Sequence, residues 1–194
     1  MKLFCILLLA LFVGQASAGP IDDALAAWAR GDYAAELKIT RPLALKGEAW
    51  AQTYLGDSYA DGKGVAKNDA EALRWYRLAA AQGYANALFN LGTMYANGQG
   101  VLQDYAEAVK WYRLAAAQGF PLALSNLGVM YFKGQGVLED DTKAHALFNL
   151  ATTKGDANAI KNRDLVAKFM TPQQIADAQK LARDCLARNF KGCD

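Results

Sequence analysis

Apolar side chains return along this chain in helical steps, and glycine-rich or acid-capped breaks separate them. In the stretch Ala72, Trp75, Ala79-Ala80, large and small apolar residues recur at the i, i+3/i+4 and i+7 spacing of one helix face. The same arrangement returns at Ala108, Trp111, Ala115-Ala116. Ahead of each lies a segment carrying Leu-Gly and then Tyr, and between the two a Gly-x-Gly-Val triplet breaks the pattern. The pattern predicts paired helices: Ala49 to Ala60, Ala85 to Ala96 and Pro121 to Phe132 as first helices, each followed by a glycine loop and a second helix. No alternating run marks a strand.

The pairs are copies. Displaced by 36 residues, the chain falls on itself: Leu55-Gly56, Leu91-Gly92 and Leu127-Gly128 coincide, as do Tyr59, Tyr95 and Tyr131. So do Gly62-Lys63-Gly64, Gly98-Gln99-Gly100 and Gly134-Gln135-Gly136, and the columns Tyr76/Tyr112/Phe148 and Gly83/Gly119/Gly155. A period of this length marks a stacked solenoid, in which each unit buries its apolar face only against its neighbours. The glycine of Leu-Gly lets the paired helices approach, and the loop glycines suit positive φ or close packing, with Val turned to the core. Asn68 with Glu71 and Asp104 with Glu107 have capping-box spacing; Asp140 keeps the cap without the acidic reach-back. Gly83, Gly119 and Gly155 fit helix C-caps.

The ends decay. Residues 19–46 form an expected N-terminal cap of two helices, Ile21 to Ala29 and Tyr33 to Leu45, with Asp32 as N-cap of the second. Pro42 falls inside it, where proline costs about 3 kcal/mol, so a bend or an early end is expected. Residues 47–155 hold three repeats, and 156–194 two closing helices. The last of these opens on Thr171-Pro172-Gln173-Gln174, with Thr as cap, Pro first and Gln three on. The expected fold is all-α: a right-handed solenoid of stacked antiparallel helix pairs, about ten helices in all.

Composition adds the compartment. Met1-Lys2, the apolar run Leu3 to Val13 and Ala16-Ser17-Ala18 read as a secretory signal peptide over 1–18, too short to span a membrane. The mature protein is expected to be exported, periplasmic or secreted, without stable membrane insertion. Lys+Arg 21 against Asp+Glu 19, with no basic block, argues against nucleic acid as a partner. Beyond the signal only Cys185 and Cys193 remain; in an oxidising compartment they are expected to bridge, with free thiols and intermolecular pairing as the alternatives.

Leu-Gly-x-x-Tyr, Gly-x-Gly-Val, Asp/Asn and Ala-x-x-Trp-Tyr-x-x-Ala-Ala-x-x-Gly together resemble the Sel-one-like repeat, a relative of the tetratricopeptide repeat. The resemblance covers about Gly47 to Gly155. It implies an all-helical superhelix acting as an adaptor, often in bacterial envelope regulation. One secreted, cysteine-rich branch is described as beta-lactamase-like; it pairs cysteines within each repeat, and this chain has none there, so that activity is not carried over.

By analogy with tetratricopeptide positions, the inner curve is expected to present Trp50, Thr53, Asp57 and Asp61 from the first unit. The second gives Asn86, Phe89, Thr93 and Asn97, and the third Leu122, Ser125, Val129, Phe132 and Lys133. These vary between repeats while the packing columns do not, which is what release from structural duty would produce. They form either a peptide or protein groove or a merely solvated face; Trp50, Phe89, Leu122 and Phe132 favour the groove as apolar anchors. Asn90 and Asn126 share a column that could hold a ligand backbone, cap, or join helices by hydrogen bonds.

Catalytic chemistry finds little support. His145 is the single histidine, so no ordinary zinc site is available, and a structural or surface role is expected for it. The recurring Gly-x-Gly-Val is no phosphate loop, since it lacks a third glycine and a preceding strand. No metal and no cofactor are expected. Three functions are weighed: a non-enzymatic envelope adaptor or regulator, monomeric, binding a protein or peptide; a self-associating structural element; and a beta-lactamase-like hydrolase for which no nucleophile and base stand out.

Overall fold

The computed structural model describes residues 19–193, so the expected signal peptide lies outside the described residues. Ten helices follow one another: α1 (Pro20–Ala29), α2 (Tyr33–Leu45), α3 (Ala49–Asp61), α4 (Asp69–Ala80), α5 (Ala85–Asn97), α6 (Tyr105–Ala116), α7 (Pro121–Lys133), α8 (Asp141–Thr153), α9 (Ala157–Ala167) and α10 (Pro172–Ala187). They stack as antiparallel pairs, each packing on its sequence neighbours from α1 to α9. The chain is an all-α solenoid, and no strand occurs among the described residues.

Local signals set the boundaries. Asp32, Asn68, Asp104, Asp140 and Thr171 each accept the third backbone N–H of the helix they open, at 2.9–3.2 Å. The reciprocal half of the capping box forms at α10, where Gln174 accepts from the Thr171 N–H at 2.8 Å. At α4 and α6 it does not. Glu71 takes Arg74 and Glu107 takes Lys110 instead, because a cation one turn on competes better for a carboxylate than a neutral backbone N–H. The early end expected at Pro42 does not occur: α2 runs to Leu45, since a proline in the last turn removes only one helical hydrogen bond. Gly83 falls two residues past the cap of α4, which is Ala81.

Two glycine columns set how close the helices come. A Cβ at Gly92 would stand 2.6 Å from the Tyr112 ring, and one at Gly56 would stand 2.6 Å from that of Tyr76. The aromatic of each second helix therefore lies flat on the glycine of the first, and nothing larger fits. The second glycine of each loop does the same between repeats: a Cβ at Gly100 would meet the Asp69 carbonyl at 2.8 Å, at the start of the preceding repeat's second helix. Gln82 donates to the Gly47 carbonyl at 2.9 Å, and Gln118 to Gly83 at 2.8 Å, tying each turn to the one before.

The apolar core runs continuously from α4 to the tail, through Leu91, Leu124, Leu127, Leu147 and Leu150. A smaller cluster of Leu37, Ala44, Ala51, Leu55 and Trp75 closes the N-terminal end. At the other end α10 packs on α8, and the Cys185–Cys193 disulfide folds the tail back. That fold carries Phe190 onto Gly119, where a Cβ would stand 3.0 Å from the ring. Lys154, in the column of Gln82 and Gln118, lies over the other side of Phe190 at 4.8 Å.

Candidate binding face of the first helices

Between successive repeats, the first helices and the start of the second enclose a pocket. The first, of about 230 Å3, is lined by Asp57, Ala60, Asp61, Asp69, Tyr76, Asn90, Thr93, Met94 and Gln99. The second, of about 310 Å3, contains the counterpart of every one of those nine residues 36 positions on: Thr93, Ala96, Asn97, Tyr105, Tyr112, Asn126, Val129, Met130 and Gln135. They are one pocket built twice.

Its back wall is a three-membered hydrogen-bonded cluster. The Tyr76 hydroxyl donates to Asp57 Oδ1 at 2.7 Å, and Asn90 Nδ2 donates to the same oxygen at 2.9 Å. One repeat on, Tyr112 meets Thr93 at 3.2 Å and receives Asn126 Nδ2 at 3.1 Å. In the third unit the columns read Val129, Phe148 and Asn162, and the hydroxyl disappears together with its acceptor. The asparagine column thus bridges repeats, the hydrogen-bonding option among those its spacing allowed.

Burial governs the electrostatics here. It lifts the Asp57 carboxyl to about 6, offset in part by the Tyr76 hydrogen bond and reinforced by Asp61 and Glu36. Burial likewise raises the Tyr76 and Tyr112 phenols. Glu36, fully buried in the column where the full repeats place Ala72, Ala108 and Ala144, is pushed up by desolvation, opposed in part by hydrogen bonding from Thr40 and from Ser58, which donates to Oε2 at 3.3 Å. Asp61 pairs with Lys63 at 2.8 Å, and Lys63 also lies over the Trp28 ring at 4.4 Å.

The family model described as Sel1 repeat matches residues 51–84, 85–120 and 121–156, more than half the chain. The chain belongs to the Sel1 repeat family. It is similar to a solved Sel1 repeat protein from Oxalobacter formigenes at 39% identity, covering 66% of this chain and 97% of that one, with TM-score 0.60. It also matches c5321, a protective antigen of uropathogenic Escherichia coli strains with an SLR fold, at 29% identity and TM-score 0.62; 82% of this chain is covered but only 42% of that one. Helicobacter pylori cysteine rich protein B, at 19% identity and TM-score 0.51 over 75% of this chain and 97% of that one, shares the fold. No curated protein matches significantly.

Against these Sel1 repeats the expected inner-face residues divide. Asp57, Asp61, Thr93, Asn97, Val129 and Lys133 line the paired pockets. Trp50 is half-buried and edge-on to Tyr54 at 6.1 Å; Asn86 and Leu122 are exposed at the starts of α5 and α7. Phe132 is half-buried against Phe169 at 5.9 Å. Thr53 and Ser125 are corrected: at 2% and 6% exposure they are not open to a ligand. Thr53 turns back on the Ala49 carbonyl at 2.9 Å, and Ser125 bonds Asp156 at the entry of α9. Phe89, in the same column, packs with tilted rings on Phe120 at 5.4 Å, the counterpart of Asp156 one repeat earlier. For Phe89 and Ser125 the variation reflects a partner 31 residues on that varies with it, not release from packing.

Sequence reasoning missed Asp69, Tyr105, Gln99 and Gln135, which line the pockets from the second helix and the loop. The sequence signal was weaker here, because the Asp69/Tyr105/Asp141 column keeps aspartate in two of its three units. His145 is buried with Nδ1 3.4 Å from the Asn149 amide, and burial lowers its pKa, so its role is structural. Among the described residues no three His, Cys, Asp or Glu side chains are gathered to hold a metal ion. No helix among them is long and apolar enough to cross a membrane.

Proposed function

We propose that this Sel1 repeat protein is a non-enzymatic interaction module of the bacterial envelope, an adaptor or regulator that binds a peptide or protein along the concave face of its first helices. One observation carries the reading. The same pocket recurs at two repeat junctions with its scaffold residues kept and its lining residues changed. Shared packing keeps the cavity, and the four changed residues give each copy its own chemistry toward a ligand. The protective antigen of uropathogenic Escherichia coli supports a bacterial setting, and the leading apolar segment Leu3 to Val13 supports export.

The test is photo-crosslinking in envelope extract from a probe placed at Asn97, which is exposed and outside the packing columns. A discrete partner that is lost when Asp61→Lys and Lys133→Glu are added to the protein carrying the probe supports the reading. Recovery of the same proteins by probes at Asn97 and on the outer surface at Lys110 sinks it.

A further inference from the structure

Resting on that reading, we propose that the two pockets select opposite side-chain chemistry on one extended client segment: the first takes a lysine or arginine, the second an acidic or amide side chain about three residues away.

The argument is a comparison of the pockets within one chain. Alanine, methionine, tyrosine, asparagine and glutamine are kept at five equivalent positions: Ala60/Ala96, Met94/Met130, Tyr76/Tyr112, Asn90/Asn126 and Gln99/Gln135. The other four change, and three of them change in the same electrostatic sense. Asp57 becomes Thr93, Asp61 becomes Asn97 and Asp69 becomes Tyr105, while Lys133 joins the rim of the second pocket. Three carboxylates face one cavity; none face the other, and an ammonium does. Because the scaffold is shared, packing does not account for the difference.

The first pocket has capacity left for a donor. Both hydrogen bonds to Asp57 fall on Oδ1, and Oδ2 has no protein partner among the described residues. Asp61 and Asp69 are held by Lys63 at 2.8 Å and Lys67 at 3.7 Å, exposed pairs of the kind worth about 0–1 kcal/mol and readily exchanged for another cation. Lys63 itself, shared between Asp61 and the Trp28 ring, is an ammonium already accommodated at this end of the face. A guanidinium entering the pocket would gain charge-assisted hydrogen bonds at a partly dried carboxylate. In the second pocket Lys133, Asn97 and Gln135 offer N–H donors to a carboxylate or amide, while Gln103 already donates to the Ala96 carbonyl and the Tyr105 hydroxyl.

Spacing follows from the repeat. Packed helices lie about 8–10 Å apart, and a chain in the polyproline-II conformation rises about 3.1 Å per residue with three residues per turn, which puts side chains i and i+3 on one face. Adjacent pockets are therefore met by side chains about three residues apart. The groove has a charge direction, and a client with the reversed order would set like charges together at both ends.

A peptide array tests this. Proline-containing heptapeptides of polyproline-II conformation on an apolar background carry Arg, Glu, Gln or Ala at positions i and i+3, in both orders, probed with the full mature chain. Arg paired with Glu or Gln is expected to exceed Arg-Arg and Glu-Glu by at least fivefold, in one of the two orders. Asp61→Asn should erase the Arg preference, and Lys133→Glu should transfer the second preference from Glu to Arg; both positions are exposed, and circular dichroism confirms the fold. Equal binding of all pairs, or preferences unmoved by these substitutions, overturns the inference. If no peptide binds while the Asn97 crosslink to a protein persists, charge reading fails and the interaction face stands. If both are absent, both fail.

Discussion

The Tyr76 hydroxyl donates to Asp57 at 2.7 Å across the α3–α4 pair, and Asn90 from the next repeat reaches the same oxygen. One carboxylate thus joins a helix pair to its neighbour. Tyr76→Phe removes a donor from a mostly buried carboxylate, a loss of about 2 kcal/mol. Tyr112→Phe, where the partners are the neutral Thr93 and Asn126, should cost about 1 kcal/mol. Urea denaturation of the two variants in parallel gives the ordering; equal losses would contradict the role of charge.

Stability should rise as the solution is acidified from neutral. Asp57 has a folded value near 6, above the ordinary carboxylate range, so its contribution is fully present below the unfolded value and is lost as pH climbs through 6. Glu36, also raised by burial, acts in the same direction. The groups facing Asp57 are Tyr76, Asn90, Asp61, Glu36 and Lys63. Melting is expected a few degrees higher at pH 5 than at pH 7.5, with Asp57→Asn flattening the difference and Glu36→Gln raising stability at pH 7.5. A melting point independent of pH in the unaltered protein would refute this.

Gly92→Ala drives a methyl into the Tyr112 ring, and overpacking of this kind costs about 1–3 kcal/mol. Gly128→Ala should cost less, because the Phe148 ring stands farther off at 2.9 Å. Thermal melts of both single variants rank them. The reverse order would mean that the Tyr112 ring, not the glycine, is the part that yields.

Reduction of Cys185–Cys193 releases the tail and with it Phe190. The closed loop is short, so the chain-entropy contribution is about 2–3 kcal/mol. The reduced protein should melt lower than the oxidised one, and Phe190→Ala should reproduce part of that loss with the bridge intact. Hydrogen exchange in α10 rising ahead of α4 would locate the opening at the tail; an unchanged melting point would remove the stabilising role.

Sequence alone determined the helices, their pairing and the family. Those features rest on short-range rules, capping, apolar periodicity and glycine at fixed offsets, and the 36-residue period repeats each of them three times. The bridge between Cys185 and Cys193 was legible for the same reason, since few partners exist. Tertiary structure decided which variable positions are open. Thr53 varied and is buried; Ser125 varied and bonds Asp156, and Phe89 varied and packs on Phe120, because a contact between two repeats can change both partners and stay a contact. Asp57 was expected on the inner curve, but only packing brings Tyr76 and Asn90 to it and strips part of its water. The pocket is a property of two adjacent repeats, and no window on one of them contains it.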